Sequence, residues 1–365
     1  MQEAGRVYNF APGPAALPLD VLKEAQRELV NYKGCGYSIL EMSHRGGLFD
    51  GILAKTEAGL REIMGIPENY AVLFLQGGAS LQFSMIPMNL TIKGKPALYA
   101  DTGVWASKAI KEAKLIGDVK VVFDGKKHGY RQIGDFTEWE NVTRDASYLY
   151  ICSNNTIYGT QYHFFPDLAG VPLIADMSSD IMSRRVDVSK FGLIFAGAQK
   201  NLGPAGVTLV ILRKDLAERT PANLPTMLKY GPHIEEKSCY NTPPVFSIYI
   251  MGLVLEWVKA QGGIDAVEKI NNAKAASLYE RIDATEFYVG TCEQADRSKM
   301  NVTFRLQRED LEEKFVKEAT ARGLVGLKGH RSVGGMRASI YNAMPLAGVS
   351  ALIDFMSEFE DKNRQ

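Results

Sequence analysis

The sequence predicts an α/β protein in which a mainly parallel sheet of seven strands is followed by a smaller α+β domain. Between residues 71 and 213, short apolar runs alternate with amphipathic stretches. Because the runs are continuously apolar, they predict strands covered on both faces, and the intervening helices supply the crossovers that parallel pairing needs. After Gly262 and Gly263 the order of strand and helix patterns becomes mixed, which indicates a second domain.

Seven apolar runs predict the strands of this sheet. In chain order they are AVLFLQ, ALYADTG, VKVVFD, SYLYICSN, VPLIADMSS, GLIFAGA and GVTLVILR. The stretches GGASLQFSMIPMNL and VWASKAIKEAKLIG, after the first and second runs, have a helical pattern. The longest apolar stretch, residues 245–258, is too short to span a bilayer and contains Glu256, so it predicts a buried helix.

The smaller domain is predicted from the patterns after residue 263. A long amphipathic helix begins near Ile264, and it is followed by a strand at 300–306, a helix at 308–323, a strand at 334–341 and a helix at 346–360. The chain therefore divides into an extended N-terminal segment at 1–16, a large domain at 17–262 and a small C-terminal domain at 263–365.

Composition and charge limit the classes of function. Of the 365 residues, 46% are hydrophobic and 23% are charged, and Lys+Arg and Asp+Glu both number 42. Neither sign of charge forms a long block, so we expect no nucleic-acid partner. The N-terminus has no signal pattern, so we expect a cytoplasmic protein without membrane contact. The 4 cysteines are scattered without a CxxC pair, which argues against a disulfide framework and against a metal site.

Lys200 is the sharpest single feature of the sequence. It follows an apolar run and is surrounded by the small or turn-forming residues Gly197, Ala198, Gly203, Pro204 and Gly206. Burial and neighbouring cations lower the pKa of a lysine in such a place, and the free amine can then form a Schiff base. Taken alone, however, the stretch favours an ordinary solvated lysine on a loop.

Asp176 changes this interpretation. It follows the run VPLIA at a predicted strand end, 24 residues before Lys200, so that both residues can lie at one edge of the sheet, where α/β proteins bind ligands. A lysine and a carboxylate at one edge are what pyridoxal phosphate needs, because the acid keeps the pyridine nitrogen protonated. By itself, Asp176 is more typical of a helix cap or a structural ion pair.

Two further stretches fit the same ligand. The residues Gly77, Gly78, Ala79 and Ser80 lie between a strand and a helix, where free backbone N–H groups favour an anion, although a plain tight turn fits equally well. Trp105, near the start of the next helix, can stack on a flat ring, although a core tryptophan is the commoner case.

Taken in this order, GGAS, Trp105, Asp176 and AQKNLGPAG make the chain resemble the phosphoserine aminotransferases, which are pyridoxal-phosphate enzymes of fold type I in the class V aminotransferase group. The resemblance covers essentially the whole chain and includes YNFAPGPAALP, EMSHRG, NTPPVFSIY and GHRSVGGMRASIYNA. It implies reversible amino transfer between L-glutamate and 3-phosphooxypyruvate, giving O-phospho-L-serine and 2-oxoglutarate in serine biosynthesis. Related members also accept a 4-phosphooxy keto acid on the vitamin B6 route, and the sequence leaves that second substrate open.

The resemblance assigns roles around the cofactor. It implies that Lys200 binds pyridoxal 5'-phosphate covalently and shuttles the substrate α-proton, while Asp176 pairs with the pyridine nitrogen. Trp105 would stack on the ring, and Thr156 would hydrogen-bond the ring oxygen. The phosphate would be held by Ala79, Ser80 and Gln199 and, from the neighbouring subunit, by Asn241 and Thr242. These assignments imply a homodimer with its active sites at the interface.

The resemblance also implies a substrate site rich in positive charge, formed by His44, Arg45, His330, Arg331 and Arg337. Arg337 would bind the α-carboxylate, and the other four would bind the distal phosphate or carboxylate. Some members carry arginine where this chain has Ser80, so one contact to the distal anion is absent here. The division of roles among Arg45, His330 and Arg331 therefore stays open.

Three rival functions also stay open. A cysteine desulfurase or selenocysteine lyase would need a nucleophilic cysteine on a loop, for which Cys292 is the candidate, although such enzymes carry histidine where this chain has Gln199. A serine–pyruvate or alanine–glyoxylate aminotransferase would not need the second group of cations. A protein that only holds the cofactor or a phosphorylated metabolite would not need the amine of Lys200.

Overall fold

The computed structural model describes residues 5–364, so the first four residues of the predicted N-terminal segment and the last residue of the small domain lie outside it. The strands are β1 (Tyr8–Asn9), β2 (Tyr70–Leu75), β3 (Ala97–Asp101), β4 (Val119–Asp124), β5 (Leu149–Cys152), β6 (Asn154–Asn155), β7 (Thr160–Gln161), β8 (Leu173–Asp176), β9 (Leu193–Gly197), β10 (Thr208–Arg213), β11 (Tyr288–Gly290), β12 (Asn301–Leu306), β13 (Leu324–Val325) and β14 (Met336–Ser339). The helices are α1 (Leu19–Glu28), α2 (Gly47–Met64), α3 (Gly78–Leu90), α4 (Val104–Ala113), α5 (Lys214–Ala217), α6 (Tyr230–Glu235), α7 (Val245–Ala260), α8 (Ile264–Asp283), α9 (Glu312–Ala321) and α10 (Leu346–Asn363).

The large sheet has seven strands in the order β2-β10-β9-β8-β5-β3-β4, which confirms the predicted number. The pairs from β9 to β4 are all parallel, whereas β10 runs antiparallel to both of its neighbours. The short connection between β9 and β10 explains this exception, because a parallel crossover needs a longer segment than a hairpin does. The sheet is therefore mainly parallel, as predicted.

Apolar side chains cover both faces of this sheet. In β2, Val72 and Phe74 pack into one hydrophobic cluster, while Leu73 and Leu75 pack into another on the opposite face. Successive side chains of a strand point to opposite faces, so two covered faces require a continuous apolar run. Helices α2 and α7 belong to the first cluster, and α3 and α4 to the second.

A smaller antiparallel sheet, β11-β12-β14, packs with α8, α9 and α10 around a separate hydrophobic cluster. The N-terminal segment joins this region, because β1 pairs in parallel with β13 and Phe10 is fully buried in the same cluster. The helix predicted at 308–323 begins with a 3₁₀ turn, Glu309–Leu311, before α9. The domain limits at 16/17 and 262/263 stay predictions. Among residues 5–364, no helix is both long and apolar enough to cross a membrane.

Candidate active site

A cavity of about 360 Å³ lies at the carboxyl ends of β8 and β9. Nine of the residues predicted for the site line it, namely Ala79, Ser80, Trp105, Thr156, Asp176, Gln199, Lys200, His330 and Arg337. The carboxyl ends of parallel strands share one edge of a sheet, and in α/β proteins ligands bind outside that edge. The topology therefore brings together residues that are far apart in the sequence.

Asp176 forms the floor of the cavity as the last residue of β8, paired with Cys152 of β5 and Phe195 of β9. Its side chain is only 5% exposed, and one carboxylate oxygen, Oδ1, accepts a hydrogen bond from the backbone N–H of Ser178 at 2.9 Å. Burial raises the pKa of Asp176, while the Ser178 hydrogen bonds and the charge of Lys200 oppose that rise. The carboxylate is thus poised to pair with a buried cationic or N–H group.

Lys200 lies just beyond the end of β9, in a turn closed by hydrogen bonds from Leu202 N and Gly203 N to Ala198 O. Its Nζ atom forms no hydrogen bond or ion pair with any residue in the described range 5–364, and it lies 5.9 Å from the centre of the Trp105 ring. The side chain is partly accessible to the cavity but is surrounded by protein. Burial lowers the pKa of Lys200, and the charge of Asp176 opposes that shift.

Gly13, in the N-terminal segment, closes the cavity above Lys200. Its φ of +143° lies in a region that residues with a Cβ rarely adopt, and a Cβ would come to 3.4 Å from Cγ of Lys200. The N-terminal segment is held there by a hydrogen bond from Ala15 N to Gln199 O at 2.8 Å. A glycine at position 13 therefore allows the backbone to pass close to the lysine.

The N-terminus of α3 forms the next wall of the cavity. Gly77, at the N-cap, has φ +88°, and a Cβ there would come to 2.5 Å from the Leu81 side chain, so the turn requires glycine. No side chain caps this end of the helix. The N–H groups of the first turn, together with the helix dipole, favour an anion next to Gly78, Ala79 and Ser80, which line the cavity.

Trp105 lies in the first turn of α4, with its indole ring fixed by its neighbours. Nε1 donates a hydrogen bond to Oγ1 of Thr156 at 3.1 Å, and the Nζ atom of Lys108 lies 4.6 Å from the ring centre. Both contacts restrict the rotation of the ring, which lines the cavity. The indole therefore offers a flat surface on which an aromatic ligand can stack.

Arg337, in β14, brings the small sheet to the cavity. The residue is 6% exposed, and its guanidinium donates from Nη1 to Thr156 O at 3.0 Å, while Nε has no hydrogen-bond partner among the described residues. Burial lowers the pKa of this group. A buried guanidinium with an unused donor is suited to a carboxylate, which accepts two parallel N–H bonds.

His330 lies at the rim of the cavity next to Arg337. Its Nδ1 atom lies 2.7 Å from Oγ of Ser332. Burial lowers the pKa of His330, and the charges of Arg337, Arg331 and Lys108 lower it further. Positive charge therefore concentrates at this rim, where it favours an anionic ligand.

Five predicted residues lie outside the lining of this cavity within a single chain. His44 and Arg45 line a separate cavity of about 1060 Å³ together with Tyr240. Asn241 and Thr242 both contact Gln76. Nδ2 of Asn241 donates to Oε1 of Gln76 at 3.4 Å, and Nε2 of Gln76 donates to the carbonyl oxygen of Thr242 at 2.7 Å. Arg331 is exposed beside His330.

Several residues of the site were not predicted from the sequence, among them Pro12, Gly13, Cys152, Asn154, Ser178 and Ser179. Ser178 matters most, because its N–H donates to Asp176 and its Oγ accepts a hydrogen bond from Gly197 N at 3.0 Å. It thereby ties the ends of β8 and β9 together. The pair of hydroxyl residues that directly follows the strand in ADMSS was the available signal.

Cys292, the candidate nucleophile of the desulfurase alternative, is not placed for that role. It is 4% exposed, and its Sγ donates to Gly159 O at 3.2 Å. Burial raises the pKa of the thiol to about 11. A nucleophilic cysteine needs access and a lowered pKa, so this alternative loses its candidate.

Comparisons with known proteins agree with this arrangement. The family model for class V aminotransferases matches residues 7–352. A phosphoserine aminotransferase of Desulfotalea psychrophila is 54% identical over 360 residues, which covers 99% of each chain. The solved phosphoserine aminotransferase from Bacillus circulans subsp. alkalophilus has a TM-score of 0.96 at 51% identity, covering 98% of this chain and 99% of that one. The PLP-bound phosphoserine aminotransferase from Trichomonas vaginalis has a TM-score of 0.91 at 39% identity, covering 96% of this chain and 100% of that one.

The range that matches the family model, residues 7–352, spans both sheets and all the positions that line the cavity. The matched region begins before the N-terminal segment enters the cavity and ends beyond β14, which carries Arg337. Identity above half across nearly the full length, together with a match to the family model, shows the family. The chain therefore belongs to the class V aminotransferases and, within them, to the phosphoserine aminotransferase family.

Proposed function

We propose that this protein transfers the amino group between L-glutamate and 3-phosphooxypyruvate, producing O-phospho-L-serine and 2-oxoglutarate, with pyridoxal 5'-phosphate as its cofactor. The observation that carries the proposal is the presence of an unpaired lysine amine, Lys200, and a buried carboxylate, Asp176, in one cavity. The names of the relatives support the substrate.

The residues of the cavity fit the cofactor. The group needs a free lysine amine, a carboxylate for its ring nitrogen, a flat surface for its ring and an anion site for its phosphate. Lys200, Asp176, Trp105 and the uncapped start of α3 supply these four features. Ser80 and Gln199 add side-chain donors at the anion site, and Thr156 offers a hydroxyl to the ring oxygen. When bound, pyridoxal phosphate acts as an electron sink that stabilises negative charge at the substrate α-carbon.

With the cofactor bound, some residues of this chain would transfer the α-proton and others would bind the cofactor and the substrate. The Lys200 amine takes the proton from the α-carbon, and its lowered pKa keeps more of it in the basic form. Asp176 stays ionised beside a protonated ring nitrogen, because the two charges offset the effect of burial. Arg337 orients the substrate by holding its α-carboxylate with the unused guanidinium donor.

The distal anion of the substrate would bind at the cationic rim. His330 and Arg331 lie there, and both substrates carry a second anion, which is a phosphate in phosphoserine and a carboxylate in glutamate. A serine–pyruvate or alanine–glyoxylate aminotransferase has no such anion to bind, so the rim favours the phosphorylated substrate. His44 and Arg45 would complete the site from the partner subunit of a homodimer.

Several observations support the homodimer. His44, Arg45 and Tyr240 share one cavity on the surface of a single chain, and Tyr240 directly precedes Asn241 and Thr242. These residues form one group outside the Lys200 cavity, as expected if they serve the site of a partner. A cytoplasmic location is part of the proposal, and the free thiols of all 4 cysteines suit a reducing compartment.

Absorbance spectra of the protein loaded with pyridoxal phosphate test the function. We expect L-glutamate to bleach the band of the lysine-bound cofactor and 3-phosphooxypyruvate to restore it, and Lys200→Ala to abolish both changes. L-Alanine and glyoxylate serve as the matched substrates without a second anion. Bleaching and recovery that are faster with alanine and glyoxylate, or release of sulfide from L-cysteine, would contradict the proposal.

A further inference from the structure

A second buried lysine, Lys274 in α8, has no role in the mechanism above. Its side chain is 0% exposed, and Nζ donates to the carbonyl oxygens of Ile340, Tyr341 and Met344 at 2.9, 2.8 and 3.0 Å. It forms no ion pair with any acidic residue between positions 5 and 364. Burial lowers the pKa of Lys274, whereas three carbonyl acceptors favour its protonated form, because only the ammonium group has three hydrogens.

All three acceptors belong to one short segment, residues 340–344, which we call the 340–344 turn. It joins β14, which carries Arg337, to α10. Carbonyl groups buried without a partner are destabilising, and here a single side chain donates to three carbonyls, of which that of Tyr341 also accepts from Met344 N at 2.9 Å. The position of the turn therefore depends on Lys274.

The 340–344 turn also contacts the N-terminal segment that closes the cavity. The hydroxyl of Tyr341 donates to Pro12 O at 2.7 Å, and this hydroxyl accepts a hydrogen bond from Nδ2 of Asn301 at 3.1 Å. Pro12 and Gly13 both line the cavity, and Gly13 lies against the Lys200 side chain. A shift of the turn would thus move the segment that covers the lysine.

A second contact runs from the turn to the residue after Lys200. The backbone N–H of Asn342 donates to Oδ1 of Asn201 at 3.0 Å. Asn201 Nδ2 donates to Ile181 O at 3.1 Å, and Asn342 Nδ2 donates to Met182 O at 2.9 Å, so both amides also hold the segment after Asp176. Asn271, one turn before Lys274 in α8, donates to Oδ1 of Asn342 at 2.8 Å.

We propose that Lys274 is a positioning residue for the catalytic amine: it fixes the 340–344 turn, which in turn holds Asn342 against Asn201 and Tyr341 against Pro12 on either side of Lys200. The inference rests on the proposed role of Lys200. It assigns to a residue outside the cavity the task of setting where the amine lies when the cofactor arrives. Placement matters because misplacing a reacting group by 1 Å can slow a reaction by about 10²-fold.

Covalent capture of added pyridoxal phosphate by the apoprotein tests this role. The Lys200 amine condenses with the cofactor aldehyde and releases water, and the product can be followed by absorbance and fixed with borohydride. We expect Lys274→Met, which keeps the length and loses the three donors, to slow capture at least about tenfold. It should lower kcat while leaving KM for glutamate nearly unchanged.

The control is Tyr288→Phe, which removes another buried hydrogen bond of the small sheet region, to Met356 O at 2.7 Å, away from the 340–344 turn. It should capture the cofactor at the parent rate at a temperature where all variants are folded. If Lys274→Met does not fold, Tyr341→Phe carries the test, because it removes the hydrogen bond from the turn to Pro12 while Lys274 stays in place.

Parent-like capture by folded Lys274→Met, or by Tyr341→Phe where the first variant does not fold, would overturn the inference. An equal loss in Tyr288→Phe would also overturn it, because the effect would then reflect stability alone. Capture requires no amino donor, so failure of the parent protein to transaminate phosphoserine would reject the proposed function without deciding this test.

Discussion

Lys200 and Lys274 are both enclosed by protein, yet the structure uses their ammonium groups in opposite ways. Lys274 gives all three hydrogens to backbone carbonyls at distances between 2.8 and 3.0 Å. Lys200 gives none to any described residue and faces a cavity with a carboxylate at its floor. A buried lysine therefore indicates a catalytic or ligand-binding role only when its donors are unused, whereas a lysine with satisfied donors indicates a structural role.

The largest effect is expected from Lys200→Met. Loss of the proton-transferring amine should slow the half-reaction by roughly 10²–10⁴-fold or more, which is the usual contribution of a general base. The free energy of unfolding should not fall, because the substitution removes a buried cation without breaking a hydrogen bond. Stopped-flow absorbance and urea unfolding measure the two quantities, and a parent-like half-reaction would show that another residue moves the proton.

A smaller effect is expected from Arg337→Met, which removes the cation proposed for the α-carboxylate. Truncating one partner of a buried charge pair costs about 2–5 kcal/mol, so kcat/KM should fall by roughly 10²-fold for glutamate and phosphoserine alike. Arg331→Ala is the matched variant, and it should lower kcat/KM for phosphoserine more than kcat/KM for alanine. Steady-state kinetics with these substrates separates the two roles. If Arg331→Ala lowers kcat/KM equally for all substrates, Arg331 does not bind the distal anion.

Lys274→Met should lower the free energy of unfolding, whereas Lys200→Met should not. Removing the ammonium donor from three buried carbonyls, of which that of Tyr341 keeps a bond from Met344 N, should lower the free energy of unfolding by roughly 2–4 kcal/mol. Urea unfolding of the apoproteins compares this variant with Lys200→Met under one set of conditions. If both substitutions change stability by the same amount, the distinction between a satisfied and an unsatisfied buried lysine fails.

The smallest effect is expected at Cys292. With the thiol pKa raised to about 11, only about one thiol in a thousand is ionised at pH 8, so iodoacetamide should modify it far more slowly than the partly exposed Cys35. Transamination by Cys292→Ser should stay close to the parent rate. Rapid modification of Cys292 that stops turnover would restore the desulfurase alternative.

The seven strands and the placement of Asp176 and Lys200 at one edge of the sheet could be predicted, because both follow from local patterns. Continuous apolar runs require two covered faces, and parallel strands end at the same edge. The antiparallel direction of β10 was not predicted, although the connection from β9 is too short for a parallel crossover.

The role of Lys274 could not be predicted in the same way. In the sequence it is the one lysine of a polar helical stretch, INNAKAASLY, and nothing there distinguishes it from a solvated residue. Its acceptors lie 66 to 70 positions further along the chain. Likewise, the sequence places His44 and Arg45 in a charged loop but does not say which cavity they line.

Borohydride reduction of the protein loaded with pyridoxal phosphate, followed by peptide mapping, identifies the lysine that binds the cofactor. We expect a single labelled peptide that carries the modification at Lys200, with Lys274 unmodified because its donors are occupied. Labelling of Lys274, or of a rim lysine such as Lys108 in place of Lys200, would contradict it.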